Sequence, residues 1–162
     1  MRRSTNQRRA TWYRMPLRGG TDRGAVQIEF VLSILIVLFV MFAMWELIMV
    51  VHTMNVLSDA AKAGVRYAVV HGSRNINCSG PAPPPECTDP DITGTRVGAV
   101  VLDYAKYSLH DISAITVLVT YPDLCSIPPC RVRVTVSYDF VPYTALNFRP
   151  TLHGAAEGRI VF

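Results

Sequence analysis

Charge is scarce in this chain of 162 residues: 17% are charged and 50% hydrophobic, and the mean hydropathy is +0.25. Soluble domains carry about a quarter charged residues, so this balance excludes a disordered tail and argues against an ordinary soluble enzyme. Catalytic patterns are missing too. The four histidines, His52, His71, His110 and His153, show no i, i+4 pair and no H-E-x-x-H pattern. There is no G-x-S-x-G elbow, no phosphate loop and no acid pair at telling spacing, so a non-catalytic protein without a cofactor is expected. Cysteine is absent from the first 77 residues, and Asp22 is the only acid among the first 24. Internal repeats are also lacking.

The apolar excess is concentrated in one place. Phe30 to Trp45 reads FVLSILIVLFVMFAMW, with Ser33 as its only polar residue, and after Glu46 the run resumes through Val51. Ile28 to Val51 is 24 residues. As a helix that is roughly 36 Å, longer than a hydrocarbon core of about 30 Å. One membrane span over residues 25–52 is expected, and no later segment is apolar enough to bury such a helix on all sides.

Residues 1–24 hold seven arginines (Arg2, Arg3, Arg8, Arg9, Arg14, Arg18 and Arg23) and a net charge of +6, while residues 25–162 carry −2. Basic flanks stay cytoplasmic, so the leader lies inside and residues 53–162 are exported. The overall basic balance therefore requires no nucleic acid: the leader abuts a span and lacks interleaved aromatics beyond Trp12 and Tyr13.

All four cysteines, Cys78, Cys87, Cys125 and Cys130, follow the span, as export into an oxidising compartment would have it. Three pairings are possible, and local spacing favours Cys78 with Cys87 and Cys125 with Cys130, each closing a short Pro-rich loop. C-x8-C and C-x4-C spacings fit zinc-ribbon geometry poorly, so no metal is expected.

The far side of the span lacks the A-x-A pattern of signal-peptidase cleavage, so the helix reads as a retained anchor. On the near side stands Arg23-Gly24-Ala25-Val26-Gln27-Ile28-Glu29-Phe30. A basic stretch, a glycine, four residues, then a glutamate and an aromatic residue resemble the class III signal of type IV pilins. That resemblance implies cleavage by a membrane prepilin peptidase between Gly24 and Ala25, leaving Glu29 and Phe30 as the fifth and sixth residues of a 138-residue mature chain. In that family the glutamate meets the freed N-terminal amine of a neighbouring subunit and sets axial register during assembly. A lone carboxylate at membrane depth usually finds such a partner.

A second glutamate near the end of the run, Glu46, and the stretch Ser58-Asp59-Ala60-Ala61-Lys62-Ala63-Gly64-Val65-Arg66-Tyr67-Ala68, with its G-x-R-Y, narrow the resemblance to the TadE-like family. Its members are minor pseudopilins of the tight-adherence (Flp) pilus machinery. The resemblance covers residues 23–70 and becomes generic beyond them. The major Flp pilin, much shorter and with Glu-Tyr in place of Glu-Phe, is a poorer match. Glu46 either marks the outer interface or contacts a partner pseudopilin within the bilayer.

For the exported part, Val56, Leu57, Ala60, Ala61, Gly64, Val65, Ala68 and Val69 form one helical stripe, read as core packing. His71-Gly72-Ser73 ends that helix, and a Pro-rich loop occupies residues 72–90. Asp91 or Thr93 caps a second helix over residues 93–109, with Val97, Val100, Val101, Tyr104 and Ala105 buried. Alternating Ile115, Val117, Val119 and Tyr121 predict one strand. Val132, Val134, Val136, Tyr138 and Phe140 predict another, and residues 155–162 supply a third. The expected fold is α+β: a long N-terminal transmembrane helix continuing into a small pilin-like domain with a further helix and an antiparallel sheet of about three strands. The resemblance implies a protein of the bacterial inner (cytoplasmic) membrane, possibly reaching the cell surface in a pilus. Its partners would be the bilayer, the prepilin peptidase, other pilins or pseudopilins and the pilus assembly platform. The alternative is an unprocessed single-pass envelope protein whose exported domain binds a ligand or partner.

Overall fold

The computed structural model describes residues 22–81, 87–109, 111–143 and 149–161. The leader expected over residues 1–24 therefore lies outside the described residues except at its end, as does the centre of the Pro-rich loop. Helix α1 runs Asp22–Val70, α2 Thr95–Ala105, and a short 3-10 turn Ile112–Ala114 precedes three strands: β1 Ile115–Thr120, β2 Arg131–Asp139 and β3 Thr151–Arg159. The architecture is α+β, with an antiparallel sheet ordered β1-β2-β3. Two compact units emerge, one ending at Val40 and the other beginning at Met41.

The second unit has its core between α1, α2 and one face of the sheet. Period-two alternation turns Val132, Val134, Val136 and Tyr138 of β2 inward, all buried, with Arg131, Arg133 and Asp139 outward. Beside them the register sets Gly158, Ala156, Gly154 and Leu152 of β3, pairing Val132 with Gly158 and Val136 with Gly154. Small residues on that inner face let α1 lie close. A Cβ added at Gly154 would stand 2.6 Å from the carbonyl carbon of Leu57 and 2.7 Å from the Ser58 nitrogen. One at Gly158 would stand 2.6 Å from Val65 Cγ1 and 3.0 Å from Val69 Cγ2. Helix and strand advance in step: eight residues of helix from Leu57 to Val65 rise about 12 Å, four of strand from Gly154 to Gly158 about 13 Å. The predicted stripe is buried at Val56, Leu57, Ala60, Ala61, Gly64, Val65 and Ala68, and Val69 is half-buried.

The bounds of β3 and α2 differ from the sequence reading. β3 begins at Thr151, four residues before the expected start, because its inward positions are Leu, Gly, Ala and Gly rather than a hydrophobic alternation. α2 is shorter than residues 93–109. Its cap lies at Gly94 with φ of 72°, while the Asp91 carboxylate accepts the N–H groups of Thr95 at 2.9 Å and Arg96 at 2.6 Å. Asp91 thus satisfies the first free donors of the helix from three residues upstream of the cap. On α2, Val97, Val101 and Ala105 are buried as expected, but Val100 is half-buried and Tyr104 exposed, since both lie about 100° around the helix from that buried row.

Both predicted disulfides form, Cys78 with Cys87 and Cys125 with Cys130. The second closes the β1–β2 connection, where Arg131 donates from its backbone and side chain to Asp123, each at 2.9 Å. The Arg131 side chain holds the Asp123 carboxyl below the usual carboxylate range.

Candidate processing and assembly site

The residues singled out for processing and assembly all fall on α1, which starts at Asp22 and so carries the Arg-Gly junction in its first turn. Gly24 is exposed, and a Cβ built on it would meet nothing within 4 Å. Glycine inside a helix costs about 1 kcal/mol relative to alanine. Among the described residues no packing demands glycine at this position. Ala25 follows in the same turn. One turn further on, Glu29 and Phe30 are both exposed. Among the described residues Glu29 has neither a hydrogen-bond nor an ion-pair partner. Apolar side chains exposed on every face of the helix follow from Phe30 to Phe42, and on part of it as far as Val51. From Val26 to Val70 the helix is long and apolar enough to cross a membrane.

Glu46 has the opposite surroundings. Only 6% of it is exposed, and its Oε1 accepts the backbone N–H of Tyr143 at 3.1 Å. Its other oxygen is buried with no hydrogen-bond partner. The carboxylate therefore ties α1 to the segment that leaves β2. Replacing it tests that tie. Glu46→Ala should speed hydrogen exchange of the Tyr143 amide about tenfold, the lower end of the cost of orphaning a donor, whereas Glu46→Gln, which keeps an acceptor oxygen, should leave exchange near the native rate. Equal exchange in all three proteins would show that the bond carries no stability.

The G-x-R-Y motif serves packing. Gly64 sits where a Cβ would stand 2.6 Å from Val101 Cγ2, Arg66 is exposed, and the Tyr67 ring stacks on His71 with centroids 4.0 Å apart. No cluster of three or more His, Cys, Asp or Glu side chains suited to a metal occurs among the described residues. Sequence reasoning passed over Tyr143 and the inward glycines of β3. Tyr143 acts through its backbone N–H, for which side-chain type gives no signal, and the glycines matter for the side chain they lack.

The sequence model of the TadE-like protein family matches residues 24–66. This segment is TadE-like. The match begins at Gly24, takes in Glu29, Phe30 and Glu46, and lies wholly on α1, ending before α2 and the sheet. A TadE-like helix points to a function connected with the tight-adherence (Flp) pilus system, and to membrane and pilus-system partners. Among the described residues this is the one helix long and apolar enough to cross a membrane, which is compatible with a single-pass membrane protein. Comparison of the chain with curated proteins and with solved structures gave no match.

Proposed function

We propose that the protein is a minor pseudopilin, non-catalytic, that acts in assembly of a tight-adherence (Flp) pilus after prepilin peptidase cuts between Gly24 and Ala25. The observation that carries this reading is the TadE-like segment of α1, whose first matched residue, Gly24, has no packing role among the described residues and is followed at about one turn by a carboxylate with no partner among them. A carboxylate facing lipid costs up to about 2.5–3.5 kcal/mol at the centre of a span, less near the interface, and the cost falls when a cation comes alongside. The new α-amino group of a neighbouring subunit's Ala25 supplies that cation. Such a contact fixes the axial offset between subunits, and the helix from Phe30 to Val51 packs them. The chain is anchored in the inner membrane with its leader cytoplasmic and its disulfide-bonded domain exported.

The test is genetic. Deleting the gene should reduce surface pili to near background and the intact gene should restore them, while Glu29→Ala, still processed and still in the membrane, should not. Normal piliation in the deletion strain would refute the assembly role.

A further inference from the structure

The exported unit sits low on its helix. Met49 and Val50 already pack against its core, and both belong to the apolar run that ends at Val51. Lower still, the bond from Tyr143 to Glu46 holds the segment leaving β2 level with a helix position five residues before the end of that run. Five residues of helix rise about 7.5 Å. The segment itself is Phe140-Val141-Pro142-Tyr143, without a charge. Phe140 is buried and meets the Tyr143 ring edge-on at 6.5 Å between centroids, yet Val141 is 50% and Tyr143 62% exposed. At the same height on the helix Trp45, Leu47, Ile48 and Val51 are exposed as well.

We infer that residues 141–143 rest in the outer interfacial layer of the bilayer, a second membrane contact of the exported domain beside its helix. This rests on reading α1 as a membrane span. The occupant of this apolar surface is lipid because the surface continues the lipid-facing side chains of the span at equal height, with no charged group between Phe140 and Tyr143. Tyrosine suits that layer: its ring lies among upper acyl chains and its hydroxyl reaches headgroups. The hydrogen bond to buried Glu46 spares the Tyr143 N–H from facing that layer without an acceptor. The exported domain is thereby held at a set height and rotation on the membrane.

Hydroxyl-radical labelling of the full chain, in phosphatidylethanolamine and phosphatidylglycerol vesicles at fewer than one chain per vesicle, tests the contact without substitutions. Leu124, 86% exposed in the β1–β2 connection at the other end of β2 from Phe140, is the accessible reference, and Met41, 55% exposed within the apolar run, reports the span. The expected result is that Tyr143 and Met41, each scaled by the intrinsic reactivity of its side chain, are both labelled roughly an order of magnitude less than Leu124. Labelling of Tyr143 at the level of Leu124 with Met41 protected would overturn the inference and leave the span standing. Labelling of Met41 as well would overturn both. Protection of Tyr143 only at high protein density would assign the surface to a second copy of the chain and overturn the lipid contact.

Discussion

Gly154→Val is expected to unfold the exported domain. The added Cβ would fall 2.6–2.9 Å from three backbone atoms of Leu57 and Ser58, and backbone in mid-helix has no rotamer with which to give way. Either α1 lifts from β3 or the strand leaves the sheet, and each exposes the Leu57 to Ala68 stripe. Overpacking typically costs about 1–3 kcal/mol and more where nothing yields; about 3 kcal/mol or more is expected here. That is a large part of the 5–15 kcal/mol that holds a typical domain folded. Gly158→Ala should cost less, since the atoms it meets are methyls of Val65 and Val69. Gly98→Ala is the matched control: its Cβ meets nothing within 4 Å on α2, and replacing a helical glycine should stabilise by about 1 kcal/mol. Urea midpoints of the purified proteins rank the four: Gly98→Ala above native, Gly158→Ala below, Gly154→Val lowest. A native midpoint for Gly154→Val would mean that α1 does not lie on β3 as described.

The same contrast explains which parts of the fold were legible in the sequence. β2 declares itself through strict alternation from Arg131 to Phe140, and the apolar run and the stripe from Val56 to Val69 declare α1. β3 does not, because its inward face is built from absent side chains, and small residues carry no periodic hydrophobic signal. The cap of α2 was half legible: Asp91 was named, but its action across Gly94 depends on a left-handed residue that composition alone does not place. At the site, Gly24, Glu29 and Phe30 were readable as a linear pattern. Glu46 was visible as an anomaly within an apolar run, whereas its acceptor role toward Tyr143 spans 97 residues and no local rule reaches it.

Gly24→Ala should abolish processing while leaving the fold intact. The two effects separate because an alanine Cβ there has open space around it, so a folded, membrane-inserted product is expected, stabilised locally by better helix propensity. A peptidase that admits only glycine at the cut would leave residues 1–24 attached. Seven arginines would then stay on the cytoplasmic side, and no free amine would form beside Glu29. Loss of pili in this variant would follow from the missing amine rather than from misfolding.

The most direct measurement is the N-terminal sequence and intact mass of the protein purified from its native membrane, beside those of Gly24→Ala. A native chain beginning at Ala25 is expected, beside a variant that retains its leader. A native chain that still carries residues 1–24 would contradict it and leave a permanently anchored envelope protein.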